Sequence, residues 1–131
     1  MPPENVRHIL AKNRKVAVVG ISANPDRPSH WIARYLMDQG FEVTGVNPGL
    51  PRIDAIPLVA RVGEVPGSLE VVNVFRSSEH VPALIEELIP LRPRVVWLQE
   101  GAENPEAEAR ARAAGIEVVS GRCIYRDHRA L

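Results

Sequence analysis

Five short runs rich in valine and isoleucine recur along this chain, and segments with helical patterns separate them. Most of the runs are continuously apolar rather than alternating, which is typical of strands in a parallel sheet that helices cover on both faces. Alternation of strands and helices with short connections favours right-handed crossovers. The sequence therefore predicts an α/β fold, a single Rossmann-like domain over residues 1–131 with a five-stranded parallel sheet of order 3-2-1-4-5 and helices on both faces. The predicted strands are 15–20, 42–47, 70–76, 94–99 and 117–120.

The predicted helices follow capping and stop signals between these strands. Hydroxyl or amide caps come before apolar periodic segments, and glycines or prolines follow them. The stretch from Pro48 to Leu69 is rich in proline and glycine, so it is predicted to be mostly loop, with a short strand near Pro57–Val59. The predicted helices are an opening helix over Glu4 to Lys12 within an N-terminal extension (1–14), Ser29 to Gln39, a segment capped by Ser78, and a segment from Asn104-Pro105 to Gly115.

Composition excludes several classes of function. The 16 basic and 16 acidic residues cancel, so bulk electrostatics do not favour nucleic acid as a partner. No apolar run approaches the ~20 residues that cross a bilayer, so no membrane association is expected. The lone cysteine, Cys123, forms no internal disulfide and fits a reducing cytoplasm. The four histidines are scattered without zinc-ligand spacing, and no metal is expected.

The loop after the first strand is the clearest candidate for ligand binding. The run Lys15-Val-Ala-Val-Val-Gly20 stops at a glycine, and the loop that follows carries Ser22, Arg27 and Ser29. A strand, a turn and a helix N-terminus in this order hold phosphates in α/β proteins through backbone N–H groups. The dinucleotide fingerprint G-x-G-x-x-G is absent. The loop therefore predicts an anion site, and a turn glycine beside a solvated arginine is the alternative.

The other strand ends add polar groups at the same edge of the predicted sheet. Asn47 ends the second strand and, being neutral, would not repel a ribose phosphate, with which Arg52 could pair. After the third strand, Phe75 could pack on adenine, and Arg76 could reach phosphate or stack on the base. Gln99 and Glu100 follow the fourth strand and suit an amide-containing ligand. The alternatives are a plain turn at Asn47, core packing for Phe75 and a turn at Gly101.

Together these segments resemble a known family. The set comprises Gly20-x-Ser22-x-x-Pro25-x-Arg27-x-Ser29, Val46-Asn47-Pro48-Gly49, Asn73-Val74-Phe75-Arg76, Val96-Trp97-Leu98-Gln99-Glu100-Gly101 and Arg122-Cys123-Ile124-x-x-x-His128. It is similar to the stand-alone CoA-binding proteins of bacteria and archaea, which resemble the N-terminal domain of the succinyl-CoA synthetase α subunit. The resemblance runs in order from about Lys15 to Leu131 and is specific as a set.

The resemblance implies a Rossmann-like domain that binds coenzyme A or an acyl-CoA. By this likeness the first loop would cradle phosphates, Pro48, Val74 and Phe75 would flank the nucleotide, and Leu98, Gln99 and Glu100 would border the pantetheine arm. The complete set of predicted ligand-binding residues is Gly20, Ile21, Ser22, Arg27, Ser29, Asn47, Pro48, Val74, Phe75, Arg76, Leu98, Gln99 and Glu100.

The resemblance stops short of catalysis. The synthetase carries its phosphorylated histidine in a second domain, and this chain shows no nucleophile with a base and an orienting acid. We therefore expect a non-catalytic cytoplasmic binding protein with no catalytic residues. A small enzyme acting on a CoA thioester or nucleotide is one alternative, and an NAD(P)-sensing domain is another. Cys123 is read as a buried residue or as a thiol that pairs with CoA, and a homo-oligomer or an unidentified protein partner stays open.

Overall fold

The structure is a computed structural model that describes residues 1–50, 52–53 and 55–131. Strands and helices alternate along the chain, as the sequence predicts. Pro51, which falls in the predicted 48–69 loop, lies outside the described residues. The strands are β1 (Lys15–Val19), β2 (Glu42–Val46), β3 (Leu58–Val59), β4 (Val71–Val74), β5 (Val95–Leu98) and β6 (Glu117–Ser120). The helices are α1 (Glu4–Lys12), α2 (Pro28–Asp38), α3 (Val81–Leu88), α4 (Pro105–Ala113) and α5 (Ile124–Arg129).

The predicted α/β fold with a parallel sheet is confirmed, and the sheet has six strands rather than five, in the order β3-β2-β1-β4-β5-β6. The additional strand, β3, takes the edge position beside β2 that the prediction gave to the 70–76 run. That run forms β4, which pairs with β1. The short strand predicted near Pro57–Val59 is confirmed as β3, although the prediction did not count it among the five main strands or place it in the sheet.

Two core layers cover the sheet, because side chains alternate along each strand. Val16 and Val18 of β1 pack with α1, α2 and α5 on one face, while Ala17 and Val19 pack with α3 and α4 on the other. The connections therefore leave β1 and β4 in opposite directions, and a crevice opens between these strands at their carboxyl ends. Ligands bind at this switch point in open α/β sheets.

Three helix starts separate correct capping predictions from wrong ones. Asn104 caps α4 as predicted, since its side chain accepts the N–H of Ala107 at 3.1 Å. Ser29 does not cap α2, which begins at Pro28, because its hydroxyl bonds to the preceding loop. Ser78 does not cap α3 either, because its Oγ donates to the carbonyl of Glu103 at 2.6 Å and the helix begins at Val81.

The two ends of the chain both contribute helices to the core. α1 spans the predicted Glu4–Lys12 and buries Val6, Ile9 and Leu10 against the same face as α2. α5 was not predicted, because six residues rich in charge give no clear helical pattern.

None of the helices over the described residues has the length and apolar character that a bilayer crossing requires.

Candidate functional site

A groove of about 750 Å³ lies at the carboxyl ends of the strands, over the switch point. The loops after β1, β4, β5 and β6 form its walls, and we refer to it as the main groove. Nine of the thirteen predicted binding residues line it: Gly20, Ser22, Arg27, Ser29, Val74, Phe75, Arg76, Gln99 and Glu100. Residues that are far apart in the chain, from the end of β1 to the end of β5, therefore meet in one concave surface. This is expected because the carboxyl ends of parallel strands lie at one edge of the sheet.

A second, smaller groove of about 240 Å³ lies beside the first, and we call it the side groove. Apolar residues from β1, β2 and α3 form much of its wall, and Pro48 lies there rather than in the main groove. Arg76 lines both grooves. A ligand with an apolar ring at one end and anionic groups in its middle could therefore span the two grooves past this guanidinium.

Gly20 lets the first loop approach the loop after β4. Its φ is +85°, a conformation that favours glycine, and an added Cβ would lie 2.5 Å from the carbonyl oxygen of Phe75. The same Cβ would lie 2.7 Å from Cδ of Arg76. The missing side chain therefore allows Arg76 to lie across the end of β1.

Local hydrogen bonds hold the β1–α2 loop in one shape. The N–H of Ser22 donates to Oγ of Ser29 at 2.9 Å, and the N–H of Asn24 donates to Oγ of Ser22 at 3.0 Å. His30, which is buried, donates through Nδ1 to the carbonyl of Ser22 at 2.8 Å, since a carbonyl oxygen only accepts. Both serine oxygens thus accept from the loop itself, and each hydroxyl keeps its proton for donation to a ligand.

Two guanidinium groups in the main groove have no protein partner within the described part of the chain. Arg27 is exposed at the start of α2, and Arg76 is half-buried after β4. The N–H of Ser29, in the first turn of α2, also makes no hydrogen bond to a described residue. A helix N-terminus and cationic side chains both favour a bound anion. This end of the main groove is therefore suited to phosphate.

The main groove is also lined by an ion pair, two aromatic side chains and a thiol. Arg126 and Glu100 form an ion pair at 2.7 Å, and both side chains are exposed. Trp31 and Tyr125 pack edge to face with ring centroids 4.8 Å apart. Cys123 also lines the groove and is partly buried.

A network of two side-chain amides, Gln99 and Asn73, connects the main groove to the buried part of β4. Oε1 of Gln99 accepts the N–H of Ile124 at 2.9 Å and Nδ2 of Asn73 at 3.1 Å. The Nε2 group of Gln99 has no partner among the described residues and is not fully enclosed, so it remains a donor at the groove surface. Oδ1 of Asn73 is buried and accepts no hydrogen bond from the described part of the chain. An unpaired buried acceptor costs about 1–3 kcal/mol.

Arg122 and Asp127 hold the segment that carries Cys123. Nε and Nη2 of Arg122 donate to the two carboxylate oxygens of Asp127 at 2.7 and 2.9 Å. This hydrogen bonding raises the pKa of Arg122. The carbonyl of Arg122 also accepts Nε1 of the fully buried Trp97 at 2.9 Å. The start of α5 is thus fixed against β5 and the groove floor.

Four predicted binding residues do not line the main groove. Pro48 lines the side groove, and Ile21, Asn47 and Leu98 line neither groove. Ile21 and Leu98 are completely buried. Asn47 holds a turn, since its Nδ2 donates to the carbonyl of Ile21 at 2.8 Å and its Oδ1 accepts the N–H of Gly49 at 2.8 Å. Asn47 is therefore a turn residue, which was the alternative interpretation of its sequence position.

Sequence reasoning left Trp31, Tyr125 and Arg126 out of the binding set, although all three line the main groove. Tyr125 and Arg126 belong to α5, which the sequence did not predict. The sequence signal that could have found Trp31 is its position in the first turn of the predicted helix, directly after the loop with Arg27 and Ser29. In the structure Trp31 is 38% exposed. Among the described residues, no group of three or more His, Cys, Asp and Glu side chains is arranged to hold a metal ion.

Comparison with known proteins supports the resemblance seen in the sequence. A family profile described as CoA binding domain matches residues 14–129. YneT of Bacillus subtilis (strain 168) is 35% identical over 123 residues, which cover 94% of this chain and 91% of that protein. A solved structure from Pyrococcus horikoshii OT3 superposes with a TM-score of 0.94 at 32% identity, covering 100% of this chain and 92% of that chain.

A solved Thermus thermophilus protein is also similar, with a TM-score of 0.92 at 33% identity, covering 99% of this chain and 98% of that chain. These likenesses extend over nearly the full length of each protein. The profile match covers most of the described residues, including all four strands that border the main groove. The predicted resemblance is confirmed, and this chain belongs to the CoA binding domain family.

Proposed function

We propose that this protein binds coenzyme A or an acyl-CoA in the main groove, without catalysing a reaction on it. The observation that carries the proposal is that two guanidinium groups, Arg27 and Arg76, line one groove together with the donor amide of Gln99 and have no partner among the described residues. Phosphates match the first two groups, and the carbonyl groups of the pantetheine arm match the third. Membership of the CoA binding domain family supports the same ligand.

The two grooves suggest how the ligand would lie. The diphosphate would sit beside Arg27 and the N–H of Ser29, at the start of α2. Adenine would occupy the side groove, whose wall includes Val46, Pro48 and Leu84. The pantetheine arm would then run along the main groove past Gln99. A volume of about 750 Å³ falls within the usual range for small-molecule sites.

A non-catalytic role is favoured by the groups along this path. A covalent mechanism needs a nucleophile within hydrogen-bond reach of a base. Cys123 is the only thiol in the chain, and none of the hydrogen bonds of the described residues joins it to a histidine. The single cysteine also fits a reducing cytoplasm, which we propose as the location of the protein.

Titration calorimetry with CoA, acetyl-CoA, NAD and NADP tests the proposal. We expect CoA and acetyl-CoA to bind and the dinucleotides to bind weakly or not at all, because the loop lacks the glycines of the dinucleotide fingerprint. Absence of CoA binding at millimolar concentration would overturn the proposal. Tighter binding of NAD or NADP would instead identify a dinucleotide sensor.

Incubation with acetyl-CoA tests the non-catalytic part separately. Free thiol is followed over time with a chromogenic disulfide reagent. We expect no sustained release above the rate without protein. Multiple turnovers of thiol release would show an enzyme acting on CoA thioesters, whether or not the binding site is as proposed.

A further inference from the structure

We infer that Asn73 is a positioning residue that orients the side-chain amide of Gln99 toward the pantetheine arm. The inference rests on the proposed function, because it takes CoA as the occupant of the main groove. It adds a residue that lies below the groove and touches no ligand. Asn73 is fully buried in β4, and its effect on binding passes through Gln99.

The direction of the Gln99 amide follows from its two neighbours. The backbone N–H of Ile124 can only donate, so the atom 2.9 Å from it is the oxygen of Gln99. Nδ2 of Asn73 donates to the same oxygen from 3.1 Å. With Oε1 held by two donors, Nε2 points away from both of them. Nε2 makes no hydrogen bond to a described residue, so it is the donor that Gln99 presents to the groove.

Packing does not account for an asparagine at position 73. The other residues of β4 are Val71, Val72 and Val74, and all are buried. An asparagine among them leaves its Oδ1 without a hydrogen bond from the described part of the chain. Its only other contact through Nδ2 is a long one, 3.4 Å to the carbonyl of Trp97. A buried acceptor left unpaired is a defect that an apolar residue would avoid, so its donor to Gln99 is the feature that remains to account for it.

The ligand class follows from this geometry. A side-chain N–H at this position selects a carbonyl acceptor, and the amides of the pantetheine arm supply such carbonyls. A nucleotide without the arm has no carbonyl to place there. Asn73 should therefore affect the affinity for CoA and leave the affinity for adenosine 3′,5′-bisphosphate, which lacks the arm, unchanged.

The test compares the two ligands by calorimetry in the wild type, Asn73→Leu, Gln99→Leu and the double variant. Loss of one neutral hydrogen bond corresponds to a roughly 2- to 10-fold weaker affinity for CoA. We expect this loss in Asn73→Leu with no change for the bisphosphate. In the double variant we expect no further loss beyond Gln99→Leu, because the two residues act through one contact.

Asn13→Ala is the matched control, because Asn13 is also a buried asparagine but hydrogen-bonds at the end of α1. It should alter stability without altering either affinity. Should Asn73→Leu fail to fold, the side-chain NH₂ resonances of Gln99 in ¹⁵N-labelled wild type replace it. We expect CoA to shift them and the bisphosphate to leave them in place.

Equal weakening of both ligands in Asn73→Leu, or no change in either, would overturn the inference while leaving CoA binding intact. Fully additive losses in the double variant would also overturn it. Failure of the wild type to bind CoA would overturn the proposed function, and the inference with it. The wild-type titration therefore separates failure of the proposed function from failure of the inference.

Discussion

At the scale of single residues, Gly20 shows how one missing side chain shapes the site. Its φ of +85° strains any other residue, and a Cβ would lie 2.5 Å from a backbone oxygen that cannot move aside easily. We expect Gly20→Ala to lower the free energy of unfolding by about 2–4 kcal/mol, measured by urea denaturation. Gly115 has a similar φ of +86° but nothing within 4 Å of its Cβ position.

Gly115→Ala is therefore the matched control for Gly20→Ala. It carries the conformational strain alone, about 1–2 kcal/mol. The difference between the two variants measures the contact with Phe75. Equal losses in both would show that the close approach contributes nothing.

Arg27 gives the sharpest prediction for binding at this scale. Its guanidinium is exposed, lines the main groove and has no partner among the described residues. A charge-assisted hydrogen bond contributes about 1.5–3 kcal/mol, so we expect Arg27→Ala to weaken CoA binding at least several-fold with the fold intact. Calorimetry measures the affinity, and circular dichroism checks the fold.

The control for Arg27 is Arg34→Ala, which removes an exposed arginine from the same helix outside the main groove. It lowers the net charge by the same amount. We expect its affinity for CoA to match the wild type. An unchanged affinity in Arg27→Ala would remove Arg27 from the site, and equal weakening in both variants would indicate only a general effect of charge.

At the scale of elements, α5 docks against α2 through a hydrogen bond that depends on protonation. Burial raises the pKa of Tyr35, and its protonated hydroxyl forms a hydrogen bond of 2.6 Å with Nδ1 of His128. Burial, and secondly the charge of Arg14, lower the pKa of His128 below its usual 6.5. The folded protein therefore holds this imidazole neutral.

The pH dependence of stability follows from this shift. In the unfolded chain His128 takes up a proton near its usual pKa of 6.5, whereas the folded chain takes it up only at lower pH. The unfolded state then holds more protons, so stability falls as the pH drops through 6.5 toward the folded pKa. We expect the free energy of unfolding to fall more steeply from pH 7 to about pH 5 in the wild type than in His128→Gln.

Tyr35→Phe provides an independent check on the same pair. It removes the hydroxyl but leaves the burial and the charge of Arg14 that lower the pKa of His128, so the dependence on pH should stay as steep as in the wild type. Chemical denaturation at a series of pH values measures all three proteins. Parallel profiles for the wild type and both variants would contradict the assignment.

At the scale of the whole molecule, the sequence predicts the layers better than the contacts between them. The parallel sheet follows from continuously apolar runs, because both faces of β1, β4 and β5 are buried. The short strand β3 was predicted but its place at the edge of the sheet was not, and the six residues of α5 are too few for a periodic pattern. The edge position of β3 and the helix α5 therefore depend on tertiary packing that no local signal describes.

The candidate site divides in the same way. Arg27 and Arg76 were found because they follow strands, and strand ends meet at one edge of a parallel sheet. The hydrogen bond from Asn73 to Gln99 joins residues 26 positions apart, and Oγ of Ser29 accepts the N–H of Ser22 across the loop. Such pairings depend on side-chain directions that a linear pattern does not contain.

Because six strands form one sheet with a core layer on each face, we expect the chain to unfold as a single cooperative unit. Binding at the sheet edge then stabilises the whole molecule. CoA at 100 times its dissociation constant should add about 2.7 kcal/mol to the free energy of unfolding and raise the melting temperature by several degrees. NAD at the same concentration should raise it little, and CoA should raise that of Arg27→Ala less than that of the wild type. Thermal denaturation followed by circular dichroism measures these shifts, and equal shifts from CoA and NAD would contradict selective binding of CoA.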